Sequence, residues 1–259
     1  MPLRLNLIRP THPRDPHEPH RAATPLELLF DLVSVIAIAS AVAGLHHSIA
    51  DDHVMQGVVT FSLVFFPIWW AWMNFTWYAS AYDNDDVLFR LMTMVIMSGA
   101  LIMAAGITRF FHELDLSLIV IGFVVMRVGI VVLWLRAALH DRQRRQTALT
   151  YAVGISLVQC YWVWLGLNAP QGLGLYVSLF VLGAAMELCV PVIAERHLAT
   201  TWHRHHLIER YGLLNIIVLG ETLLAGSLAL AEVIGDGTHW GLAYTAFCSL
   251  VIVFAMWWL

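Results

Sequence analysis

The chain has 259 residues, 59% of them hydrophobic and 12% charged, with mean hydropathy +0.73, which excludes an ordinary water-soluble domain of this length. Its formal net charge of −4 singles out no class of partner, and the 14 basic residues are all arginines, which apart from Arg127 follow the ends of apolar runs and form no folded basic face for nucleic acid. Cys160, Cys189 and Cys248 fall inside apolar runs, so neither a disulfide framework nor a CxxC metal site is supported.

Eight apolar runs, at about 26–46, 57–79, 87–109, 116–139, 147–167, 172–194, 209–232 and 240–259, are long enough to cross a bilayer as helices. Period-two barrel strands are absent, so the expected fold is all-α, a polytopic transmembrane helical bundle. Residues 1–25 carry four arginines but no apolar signal-peptide core, and are expected to be a cytoplasmic tail, with 26–259 one transmembrane domain. That orientation puts Arg4, Arg9, Arg14, Arg21, Arg90, Arg136, Arg142, Arg144, Arg145, Arg196, Arg204 and Arg210 on the cytoplasmic side and Arg109 outside.

The first helix opens with Pro25, then Glu27 and Asp31 at i, i+4. Acids near a helix N-terminus gain from its dipole, which explains Glu27 better than the deeper Asp31. Ala37, Ala41 and Gly44 form a small-residue face, and His46 and His47 mark a wetted outer end. The second helix carries Trp69, Trp70, Trp72 and Trp77, a cluster that reads first as an interfacial aromatic belt, with Asn74 among them in need of a partner. In the loop DNDD, Asp85 or Asp86 is expected to cap the third helix, with Asp86 and Arg90 paired. Arg127 lies mid-membrane in the fourth helix, where it should face the bundle interior and meet a carboxylate or backbone carbonyls. Glu187 lies about 12 Å in from Glu195 along the sixth helix, beside Gly183 and Ala184, which would admit a neighbouring backbone. The loop after it, with His197, His203, His205 and His206, lacks regular ligand spacing and reads as a basic cytoplasmic loop.

The stretch HLIERYGLLNIIVLGET, His206 to Thr222, sets Glu209 and Arg210 at the mouth of the seventh helix and Glu221 about 18 Å further along. An ionisable group at that depth is costly and commonly functional. Gly212, Asn215 and Gly220 offer it close approach and hydrogen bonding. The similar intervals from Glu27 to Trp69–Trp70 and from Glu209 to Trp257–Trp258 raise a parallel internal repeat, 26–194 and 206–259, the second copy incomplete.

Three segments, Pro25 to Ala39, Trp69 to Met94 and His206 to Thr222, together resemble the bacterial low temperature requirement A family of integral membrane proteins. The resemblance implies a many-helix bacterial inner-membrane protein linked by name to growth in the cold. It implies no known reaction, and because such proteins usually continue past a segment like Trp257–Leu259, it also implies that this chain is cut short.

Four ionisable residues within helices, Asp31, Arg127, Glu187 and Glu221, point to a transporter or channel for a small solute or ion, with proton coupling one form of it. Glu27, Asn74, Glu209, Arg210 and Asn215 are placed to support them. Two alternatives stand beside this reading. One is a membrane sensor or scaffold whose charges fix helix register. The other is an embedded enzyme or carrier holding a lipid, quinone or pigment, although HExxH and GxSxG are missing. No cofactor and no metal are expected; the bilayer is the expected partner, and oligomerisation stays open.

Overall fold

The apolar runs fold as eight helices: α1 Pro25–Ala50, α2 Val54–Tyr82, α3 Val87–Glu113, α4 Ser117–His140, α5 Arg145–Leu167, α6 Leu173–Ala194, α7 Arg204–Asp236 and α8 Trp240–Trp258. The computed structural model describes residues 9–19, 21–170, 172–236 and 240–258, and contains no strand among them; Arg4 and Leu259 fall outside. Helices α1 to α6 have the length and apolarity of membrane spans, and the apolar part of α8, Ala246–Trp258, is shorter. The chain resolves into two compact units, Met1–Leu207 and Ile208–Leu259.

Local chemistry sets where the helices begin. The Thr24 hydroxyl accepts from Glu27 N at 3.3 Å while the Glu27 carboxylate accepts from Thr24 N at 2.7 Å, a reciprocal cap that Pro25 follows without losing a needed donor. Asp86 caps α3 through Phe89 N at 2.9 Å. At α7 the cap is an imidazole, His203 Nδ1 accepting from His206 N at 3.2 Å, which starts the helix earlier than its apolar run.

In the first unit α2 is the hub, packing on α1, α3, α4 and α6, while α3–α4, α4–α5 and α5–α6 pack in sequence and α1 also meets α3. Its buried side chains include Trp70, Trp72, Phe75, Tyr78 and Tyr82, so these aromatics are core. This corrects the belt reading for Trp70 and Trp72; Trp77 does reach the surface, at 37% exposure. The outward faces carry Leu32, Ile36, Val128, Val153, Leu157 and Val181, all more than half exposed, an apolar surface that water would not tolerate and lipid does.

The tail is docked against one end of this unit. Arg14 N donates to Ala81 O at 2.9 Å, Arg9 N to Asp86 at 2.9 Å, and Arg21 donates to Ser80 O and Ala79 O, neutralising the carbonyls at the end of α2. Burial and the nearby Arg14 bring the Arg21 pKa down to about 10, so it remains charged at neutral pH. Asp86 is held by Arg136, not Arg90; Arg90 pairs with Asp85 at 2.7 Å, because the capping carboxylate turns inward. Burial alone would raise the Asp86 pKa, but the Arg136, Arg9 and Phe89 hydrogen bonds outweigh it and hold it below the usual carboxylate range.

In the first unit close helix approach comes from glycines of α3 and α4. A Cβ on Gly122 would stand 2.5 Å from Gly99 O, and one on Gly99 would stand 2.6 Å from Gly122 O, so α3 and α4 meet backbone to backbone. At Gly212 and Gly220 nothing described lies within 4 Å, which corrects the expectation of tight packing there. Gly183 accommodates the Trp162 ring, at 2.7 Å from where a Cβ would be, and not another backbone.

Gly122→Ala should therefore lower the thermal midpoint in detergent by an amount equivalent to about 1–3 kcal/mol, whereas Gly220→Ala should leave it within about 0.5 kcal/mol. Equal midpoints for the two variants would contradict the backbone contact.

Candidate functional site

Trp70 and Trp72 lie two residues apart on α2, about 200° around its axis, so their rings leave opposite sides of the hub helix. Each ends on a buried carboxylate. Trp70 Nε1 donates to Glu187 Oε2 of α6 at 2.8 Å, and Trp72 Nε1 donates to Asp31 Oδ1 of α1 at 2.6 Å.

Glu187 is the more enclosed centre. Trp162 Nε1 of α5 donates to its Oε1 at 3.1 Å, and Arg127 Nη2 of α4 stands 3.0 Å from the same oxygen. Both charged side chains are 3% exposed or less. The Arg127 guanidinium also lies 4.4 Å from the centre of the Phe123 ring, a favourable cation–π placement in an apolar setting. The two indoles meet the acceptor capacity of the buried Glu187 carboxylate, which lowers the cost of holding the pair out of water. Asn74 donates to Trp70 O at 2.7 Å and shares with Arg127 a cavity of about 10 Å³.

A second polar group gathers at the tail end of the unit. His206 Nε2 stands 3.1 Å from Glu27 Oε1, while the other Glu27 oxygen serves the α1 cap, and both residues are fully buried. His203 is fixed in one tautomer: Nδ1 accepts from His206 N, so Nε2 carries the proton and donates to Glu18 O at 2.9 Å. Asp83 is also buried, and desolvation, with Glu27 adding to it, pushes its pKa up to about 6 against the pull of Arg14 and Arg21.

Two further hollows lie in the unit. At the end opposite the tail, His47, Asp51, His53, Gln56, Thr108 and His112 line a polar recess of about 310 Å³. Between α2 to α6 an apolar cavity near Phe123, Trp162, Tyr176 and Phe180 has a volume of about 30 Å³, the share of a single water and far below a quinone ring.

The residues singled out in the sequence thus fall into separate places. Arg127 and Glu187 meet directly, while on α1 Glu27 stands beside His206 and Asp31 beside Trp72. On α7, Arg210 is buried, Glu209 is half-buried, and Asn215 and Glu221 are exposed. Trp70, Trp72, Trp162 and His206 are the partners that sequence reasoning missed. The pairing of two indoles with two intrahelical acids was the available signal, hidden because tryptophan at a helix end reads as interfacial.

Two outcomes follow from the charges. Glu187→Gln strands the Arg127 charge and should cost about 3–5 kcal/mol, while Arg127→Met with Glu187→Met should recover most of it, read as thermal midpoints in one detergent. A double variant as unstable as the single would contradict the pairing. For Asp83, whose folded pKa of about 6 lies above the unfolded value, the native state takes up a proton first as pH falls. Its contribution to stability is therefore unfavourable above pH 6, is relieved as pH falls through 6 toward about 4, and is flat below that. Asp83→Asn should raise the midpoint at pH 7.5 by the equivalent of about 2–3 kcal/mol at most and flatten this part of the pH profile.

Comparison with known proteins places this architecture. A Rhizobium meliloti (strain 1021) protein described as uncharacterized is 27% identical over 243 residues, which cover 90% of this chain and 56% of that protein. The chain therefore spans little more than half the length of that relative. No solved structure matches it. The profile described as bacterial low temperature requirement A protein (LtrA) matches residues 22–259, from the tail through α8. By that match, this chain of apolar helices belongs to the bacterial low temperature requirement A family of membrane proteins.

Proposed function

We propose that the protein moves a small solute or ion across the bacterial membrane, with proton exchange at its intrahelical carboxylates as the coupling step. The observation that carries this reading is that Glu27, Asp31 and Glu187 are each 1% exposed or less within apolar helices, each beside a nitrogen-bearing side chain. Ionisable groups held there are costly and commonly functional. The arginine bias supports a cytoplasmic N-terminus, with the tail, Arg136 and Arg144 on that side and Arg109 outside.

Within this proposal Glu27, beside the His206 imidazole, and Asp31, beside the Trp72 indole, exchange protons. The Arg127–Glu187 pair supplies the fixed charge against which the helices are held. Glu221, Arg210, Glu209 and Asn215 belong to the same proposed path on polarity and depth along α7, and Asn74 supports Arg127.

A scaffold or sensor is favoured by one specific observation, the closure of Glu187 by three donors, which fixes α2, α4, α5 and α6 in register without requiring movement. The two readings part on variants that remain folded. In liposomes with a trapped pH dye, Glu27→Gln and Asp31→Asn should each cut proton flux at least tenfold while keeping a cooperative melt, and Glu221→Gln tests the α7 residues in the same way. Unchanged flux in both α1 variants, or none from the well-folded unaltered chain, would overturn the transport reading and leave the scaffold.

A further inference from the structure

At the tail end of the first unit, Pro16, His17, Glu18, Arg21, Trp202, His203, Arg204 and His205 enclose a recess of about 820 Å³. Its charge is positive. Glu18 is already neutralised by Arg14 at 2.7 Å, and Arg21 forms the floor, anchored by the carbonyls of Ala79 and Ser80. His203 is committed as a neutral cap and donor, as its two contacts require. Arg204, in the first turn of α7, is exposed and makes no hydrogen bond or ion pair among the described residues. The positive end of the α7 dipole adds to it.

One wall of the recess is apolar. Trp202 packs on Trp77 with ring centroids 5.2 Å apart, and each is 37% exposed. Trp77 stands on the last turns of α2, where the span meets its polar end, so the pair lies at the depth of lipid glycerol and upper acyl chain. A guanidinium floor with an exposed arginine at its edge suits a phosphate ester, and an exposed indole pair beside it suits the apolar part of the same molecule.

We propose that this recess binds the phosphate of an anionic phospholipid in the leaflet on the tail side, Arg204 and His205 meeting the headgroup and the Trp77–Trp202 pair meeting the chain. A soluble phosphate would use the cations and have no need of the indoles. None of the carboxylates proposed for transport lines the recess.

The test uses the full chain in detergent, equilibrated with equal phosphatidylglycerol and phosphatidylcholine, with retained lipid counted by native mass spectrometry. The unaltered chain should retain phosphatidylglycerol preferentially, and Arg204→Gln with His205→Gln should reduce that retention about fivefold or more, from the loss of one interfacial cation and its neighbour. Trp202→Ala should reduce it as well, while Arg142→Gln, at the same end but outside the recess, should not. Circular dichroism melts establish that each variant folds, and Arg204→Glu provides a second charge change at the same exposed position. Retention unchanged in the Arg204 variants overturns the site. Displacement of the lipid by millimolar inorganic phosphate, with no dependence on Trp202, overturns the lipid assignment in favour of a soluble phosphate ester.

Discussion

A carboxylate inside apolar helices must be met by donors or protonated, and in this protein the hub helix meets it with indoles. Trp70 and Trp72 supply one N–H each, to α6 and to α1, so the rotation of α2 is fixed from two sides. An indole suits the task because it fills core volume while presenting one donor and no acceptor. A lysine or arginine at either position would bring a further charge to compensate. Glu187 already has Arg127, and the second indole, from Trp162, closes the remaining approach.

The same logic explains why the tail matters. Arg21 covers the carbonyls that end α2, Arg9 and Arg136 hold Asp86 where it caps α3, and His203 reaches Ser80 Oγ with its backbone N at 2.9 Å while capping α7 with its ring. Polar atoms of helix termini are thereby exchanged among chain segments far apart in sequence. The loop histidines that read as a basic cytoplasmic loop are divided by this exchange: His203 and His206 become buried structural contacts, and His197 and His205 stay exposed.

The number, type and order of the helices were legible because bilayer thickness demands long apolar runs, and the Thr24–Glu27 spacing carries its own cap signature. Arg127 and Glu187 were legible as residues needing partners, since depth alone makes them costly. Their pairing with each other was not, because nothing in one sequence says which of six packed helices faces which. Tryptophan misled for a related reason: its preference for interfaces is statistical, and only the position of an acid on a neighbouring helix distinguishes a belt residue from a buried donor. Gly212 and Gly220 carried the opposite lesson, since a small residue allows close approach without requiring it, and no described atom lies within 4 Å of where a Cβ would stand on either.

The two acids of α1 differ in a way that bears on function. Glu27 divides its oxygens between a helix cap and an imidazole, so protonating it weakens a local terminus and a contact to the start of α7 together. Asp31, one turn deeper, meets Trp72, a donor that cannot itself titrate. Through these contacts a proton on Glu27 would be felt at the first turn of α7, and a proton on Asp31 at the hub. Neither change touches the Arg127–Glu187 pair, which sits across α2 from Asp31. The first unit thus has one side held by a buried ion pair and another held by hydrogen-bonded acids of α1, and under the transport proposal the second is the side on which a helix would move against a fixed frame.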